Sequence, residues 1–177
     1  DWNSANEYCE KVLDTDPENA EAYLGKLMAM CRANNRGDLV NVREPFDNNP
    51  NYKKIMRFGD EKLKDELVKC AEMIRERNET LRKQETYEYA HGMIKQGTVK
   101  SYKAAIDSLK KILDYKDSAQ LIKQCEKDLE KLLAKIREQN EADRKNKEYE
   151  KAISLMKGTN SNTYASAMVI FTSLSGW

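Results

Sequence analysis

His91 is the only histidine in the chain, and the four cysteines are Cys9, Cys31, Cys70 and Cys125. These are the residue types from which a nucleophile with its base, or a soft metal site, would be built. Their spacing argues against both. The cysteines lie far apart and never form a Cys-x-x-Cys pair, so neither a zinc ribbon nor a dithiol motif is encoded. A secreted disulfide framework would be denser, and the four are read as reduced, small core residues. Around His91 the neighbours are Tyr89, Gly92 and Met93, which supply no ligand pattern, so a surface or packing role is expected. A cysteine–histidine site would need a distant cysteine to meet His91.

Carboxylate pairs such as Asp60 with Glu61, or Glu126 with Asp128, could serve general acid–base chemistry. A chain with 34% charged residues produces such pairs by chance on solvated helix faces. The glycines form neither G-x-G-x-x-G nor G-x-x-x-x-G-K-[ST], so no phosphate-cradling loop is present. The reading is a protein without catalytic, cofactor-binding or metal residues, and hence not an enzyme.

Nucleic acid is the remaining chemistry to weigh. Lys95, Lys100, Lys103, Lys110, Lys111 and Lys116 cluster near Tyr102 and Tyr115. A stacking platform needs exposed rings, whereas these tyrosines fall at core positions of a repeat described below. The equivalent residues of the later copy include Asn162, Ala165, Ser173 and Gly176, so the cluster is no property of the repeat and nucleic acid is disfavoured. The seven methionines, Met28, Met30, Met93 and Met156 among them, are expected to fill gaps on apolar stripes.

The elements that carry these residues are helical. Lys plus Arg total 31 against 30 Asp plus Glu, a formal net charge of +1, so no global field steers the chain to nucleic acid or membrane. Only 7 glycines and 3 prolines occur, too few punctuators for an all-β fold. No apolar run approaches the roughly 18 residues of a membrane span. The chain opens at Asp1 without an initiating Met or a signal-peptide pattern, so it is read as an excised piece. A cytoplasmic place is expected, although flanking regions could tether the whole protein to a membrane.

In "DWNSANEYCEKVLDTDP", Trp2, Ala5, Tyr8, Cys9 and Val12 fall on one helix face, and Pro17 ends that helix. A second helix follows in "NAEAYLGKLMAM", with Tyr23, Leu27 and Met30 on one face. So short a break implies an antiparallel hairpin. Trp2, Ala5 and Pro17, then Ala20, Glu21, Ala22 and Tyr23, resemble the second helix of a tetratricopeptide repeat, its closing proline and the start of the next repeat. The resemblance covers about residues 1–34. Lys26 and Leu27 depart from the pattern, and Pro45 falls within what should be the next second helix.

A longer self-match organises the rest. Arg75 to Ala90 aligns without gaps with Arg137 to Ala152, an offset of 62 residues, with identities that include Arg75/Arg137, Asn78/Asn140, Glu79/Glu141, Tyr87/Tyr149 and Ala90/Ala152. The register extends upstream through Leu67/Leu129 and Ile74/Ile136. Downstream it runs through Ile94/Met156, Tyr102/Tyr164, Ala105/Ala167, Leu109/Phe171, Ile112/Leu174 and Tyr115/Trp177. A degenerate earlier copy matches Leu39, Val42, Phe46, Tyr52 and Lys53 to Tyr102, Ala105, Leu109, Tyr115 and Lys116 at an offset of 63. Each copy is expected to be a helical hairpin followed by a long charged helix, with turns at "KQGTVKS" and "KGTNSNT" and a helix start at Asp117 or Ser118.

From about Leu63 to Lys95 and from Ala119 to Lys157 there is no proline and only one glycine, Gly92. A continuous helix through each is favoured over two helices meeting at a polar joint. The expected fold class is all-α: a tetratricopeptide-like helical-repeat, or α-solenoid, array of hairpins linked by long charged helices, elongated in shape. The expected units span residues 1–19, 20–77, 78–139 and 140–177. The pattern Y-x-x-A-x-x-(L/M/I)-(M/I), then Y-x-x-A-x-x-x-(F/L), also resembles repeats of largely uncharacterised bacterial multidomain proteins. In those a zinc ribbon often precedes the repeats and a membrane helix may flank them. That resemblance implies no reaction. The function expected is a scaffold for a protein or peptide partner, its binding residues not assignable from sequence. The alternative is a structural spacer, or a homodimer formed through the long helices.

Overall fold

A computed structural model describes residues 1–158 and 161–174, and their regular structure is helical throughout. The α-helices are α1 (Trp2–Thr15), α2 (Ala20–Cys31), α3 (Pro50–Phe58), α4 (Glu61–Gln96), α5 (Val99–Leu109), α6 (Ser118–Met156) and α7 (Ser161–Leu174). Short 3-10 turns cover Arg36–Asn41 and Lys110–Ile112. The chain divides into two compact units, Asp1–Glu85 and Thr86–Trp177. Trp177, Gly176 and part of the "KGTNSNT" turn lie outside the described residues. Among the described residues no helix is long and apolar enough to cross a membrane.

In the first unit, local chemistry sets the boundaries. The Asn19 side chain accepts from the Ala22 N–H at 3.0 Å, and Asn49 accepts from Asn51 N–H at 2.8 Å with Pro50 at the first helical position. Asp60 accepts from Leu63 N–H at 2.8 Å and starts α4. The break at Pro17 is further fixed by the Tyr23 hydroxyl, which donates to the Pro17 carbonyl at 3.0 Å. The core gathers Leu24 and Leu27 of α2, Leu39, Phe46, Ile55 of α3, and Leu63, Leu67 and Ile74 of α4.

Three expectations for this unit are corrected. On α1 the covered seam is Trp2, Asn6, Cys9, Val12 and Leu13, so Trp2, Cys9 and Val12 stand as expected, while Ala5 is exposed and Tyr8 is 70% exposed. The helix packs along α2, and its contact there is a narrow stripe. On α2, Met30 is 57% exposed and the buried residues are Ala22, Leu24, Leu27 and Ala29. That helix lies between α1 and α3 and is covered on two sides, so a single-face reading fails. The third concerns the degenerate copy, which keeps its apolar positions but not its hairpin. Leu39 sits in a 3-10 turn, and the chain from Val42 to Asn49 is not helical, because Pro45 withholds a backbone donor.

That open backbone is held by α4. The Arg77 guanidinium donates to the carbonyls of Val40 at 2.7 Å and Val42 at 2.5 Å, and the Asn78 amide donates to the Arg43 carbonyl at 2.8 Å. Arg75 pairs with Asp47 at 2.5 Å.

In the second unit, Gly97 takes φ +62 between α4 and α5, a left-handed turn that favours glycine. Thr98 and Ser101 then form a reciprocal capping box at the start of α5. The core joins Ala90 of α4, Ala105, Ile106 and Leu109 of α5, Ile112, and Ile122 and Cys125 of α6. α6 continues unbroken for 39 residues, on the order of 60 Å at the helical rise. The small residues of the duplication superpose in role, since Ala90, Ala152, Ala105 and Ala167 are all 0% exposed. Its large apolar residues do not, for Ile74 is fully buried but Ile136 is 40% exposed. Met156 is likewise 44% exposed, so neither it nor Met30 fills a core gap.

Candidate functional grooves

Two grooves, one in each unit, use the same stations of the internal repeat. In the first unit Glu66, Lys69, Cys70 and Met73 of α4 face Arg36, Gly37 and Val40 of the 3-10 turn across a cleft of about 440 Å³. In the second unit Asp128, Lys131, Leu132 and Lys135 of α6 face Gly97 and Tyr102 across a cleft of about 220 Å³. Of the six α4 residues that line the first groove, Glu66, Lys69, Cys70 and Met73 match the four α6 residues of the second, in order, at the offset of 62 residues, while Leu63 and Leu67 have no counterpart there. One wall is therefore a long helix at i, i+3, i+4 and i+7, and the other is the segment that opens the neighbouring short element.

The two copies differ in polarity. Leu67 and Cys70 are buried in the floor of the first groove, with Met73 50% exposed at its edge. Arg36 closes one end, with Nη1 3.8 Å from Glu66 and Nη2 2.6 Å from Glu21. The second groove exchanges Met73 for Lys135 and Cys70 for Leu132, and its rim carries the Lys131–Asp128 pair at 3.8 Å. An apolar floor with a charged rim suits side chains of a partner polypeptide.

The nucleophile expected of a thiol enzyme is poorly served here. Burial pushes the Cys70 thiol up, with Cys31 nearby adding to the shift and Arg77 opposing it. Burial also raises Cys9, Cys31 and Cys125, and all four are free thiols. A protonated thiol is a weak nucleophile near neutral pH. Cys70 and Cys125 are core residues as expected, whereas Cys9 and Cys31 are half-buried.

Of the carboxylates singled out by sequence, Glu126 is exposed and the other three make local contacts. Asp60 caps α4, Glu61 pairs with Lys64 at 3.2 Å, and Asp128 accepts from the Gln124 amide at 2.8 Å besides lining the second groove. Among the described residues no three His, Cys, Asp or Glu side chains are grouped to hold a metal. The six clustered lysines are exposed, while Tyr102 and Tyr115 are half-buried.

Sequence reasoning missed one polar constellation. His91 packs on the Tyr87 ring, centroids 4.6 Å apart, and its buried Nε2 has no hydrogen-bond partner among the described residues. The Tyr87 hydroxyl donates to Asp117 at 2.5 Å, and Tyr87 and Tyr115 meet edge to face at 5.8 Å. Lys116, at φ +49, lays its ammonium 4.7 Å from the Tyr87 ring and 5.0 Å from Tyr115. The hydrogen bond from Tyr87 holds the exposed Asp117 carboxyl below its usual range. The retention of Tyr87 as Tyr149 is the one trace of this in the sequence, since His91 becomes Ile153.

No protein-family model matches the chain, and no curated protein or solved structure is similar to it.

Proposed function

We propose that this chain is a non-enzymatic helical-repeat module, related in architecture to tetratricopeptide repeats, that binds a protein or peptide partner. The observation that carries this reading is the recurrence of one groove at the same repeat stations in both units. Repeat proteins stack similar elements and use the clefts between them for extended ligands. The apolar floor of the first groove would take a large side chain. The lysine-lined second groove would favour an acidic residue of a partner.

The reading is tested by selecting binders from a displayed peptide library on the full chain. Peptides selected through an apolar anchor should bind less well to Met73→Glu, and peptides selected through acidic residues less well to Lys135→Glu. Recovery of no peptide, or of peptides indifferent to both substitutions, contradicts it.

A second reading has its own support. Residues 134–144 of α6 are exposed at every position, three turns of solvated helix. Such a stretch suits a spacer, or a surface on which copies of the chain pair. Light scattering after size exclusion separates the cases: the groove reading expects a monomer, and pairing through α6 expects a dimer.

A further inference from the structure

α7 repeats α5 at the offset of 62 residues, yet the two helices are covered differently. Ile106 of α5 is 7% exposed and Leu109 is 0% exposed. Their cluster contains Ile122, Cys125 and Leu129 from the opening of α6 together with residues of the last turns of α4. The first copy is thus a three-part packing: the end of one long helix, a short helix, and the start of the next long helix.

In the second copy the described residues supply two of these parts. α7 packs on α6, and Ala167 is as fully buried as Ala105. The counterpart of Ile106 is Met168, which is 61% exposed, and the counterpart of half-buried Tyr102 is Tyr164, which is 49% exposed. The bare surface is the one that the opening of α6 covers in the first copy. Val169 marks its edge. It is 71% exposed, but its counterpart Asp107 is exposed in the first copy as well, so Val169 stands off the repeated interface.

We infer that Tyr164 and Met168 form a docking face for an amphipathic partner helix with the pattern of the α6 opening, beside Phe171, which packs edge to face on Tyr149 of α6. That pattern is a small residue at the start, as Ser118, then apolar residues as at Leu121, Ile122, Cys125 and Leu129, with charged residues on the far side. The occupant is recognised by continuity with the α5–α6 interface, which shows the helix that fits this face. A second copy of the chain is not that occupant, because its own residues 118–129 are already packed on its own α5. This inference rests on the repeat and not on the grooves.

The test uses the full chain and a fluorescent peptide with the sequence of residues 116–133, read by anisotropy. Saturable binding is expected. It should weaken about tenfold or more with Met168→Glu in the chain, or with Ile122→Asp in the peptide, as for a contact at the centre of an interface. Val169→Glu should leave it unchanged. Met168 and Val169 are both exposed, so both variants should keep the parent helical circular dichroism. Absence of binding overturns the inference, as does equal weakening by Val169→Glu, which would mean unspecific apolar contact. Binding untouched by Met168→Glu would place the peptide on α5 instead. Sedimentation of the unlabelled chain as a dimer that Met168→Glu dissolves would give the face to a second copy.

Discussion

Arg77 reaches from α4 to the carbonyl oxygen of Val40 at 2.7 Å, and its second nitrogen holds Val42 at 2.5 Å. At the repeat-equivalent position stands Gln139. The exchange follows the backbone. The degenerate copy is a short 3-10 turn followed by irregular chain and leaves the Val40 and Val42 carbonyls to a donor from α4, whereas α5 is a regular α-helix. Arg77→Ala should destabilise the first unit by about 1–3 kcal/mol, the cost of stranding partly buried acceptors. Urea unfolding measures it, and Arg77→Gln should recover only part.

Gly25 and Cys9 set how closely α1 approaches α2. A Cβ on Gly25 would lie 2.5 Å from the Cys9 sulfur, inside any real contact. Gly25→Ala should therefore cost about 1–3 kcal/mol by overpacking. It should loosen α1, read as faster amide exchange over Trp2–Thr15. Cys9→Ala in the same chain should restore most of the loss, and no rescue would refute the contact.

Tyr87 and Asp117 titrate as partners. Donation by Tyr87 lowers the Asp117 pKa, and that hydrogen bond is also the first cause of the raised pKa of Tyr87. A lowered carboxylate adds stability above its unfolded pKa and loses it as pH falls through the folded value. The raised phenol adds stability below the ordinary tyrosine range and loses it as pH rises through its folded value. Tyr87→Phe should move the Asp117 carbon signal, followed by NMR against pH, upward toward an ordinary aspartate. Asp117→Asn should let Tyr87 ionise at lower pH, seen in ultraviolet absorbance.

The thiols should react in order of cover. With all four pKa values raised by burial, alkylation near neutral pH should be slow in the native chain and fast in denaturant. Mass spectrometry should find Cys9 and Cys31 modified before Cys70 and Cys125. Early modification of Cys70 would mean that the floor of the first groove opens to solvent.

Much of the helical organisation was legible because it rests on local chemistry. Pro17 and Gly97 mark breaks that the chain itself imposes, and the long runs without proline became α4 and α6; Asp117 stands at the expected start of α6, but its side chain makes no cap hydrogen bond and accepts from Tyr87 instead. The copies at Tyr87 and Tyr149 could be aligned from identities alone. What could not be read was cover. Ile74 and Ile136 are the same residue in the same register, but one meets a core and the other solvent. The grooves were hidden for a related reason, since Glu66, Lys69 and Met73 look like any charged helix face until Arg36 and Val40 are brought opposite. His91 and Asp117, 26 residues apart, gave no local sign of sharing Tyr87.

The most direct test of the repeat-groove account is hydrogen exchange on the full chain with and without a library-selected peptide. The account predicts slowed exchange around residues 63–73 and 128–135 and at the facing segments near Val40 and Tyr102, with α1 unchanged. Protection confined to residues 136–144, or absent from both grooves, would contradict it.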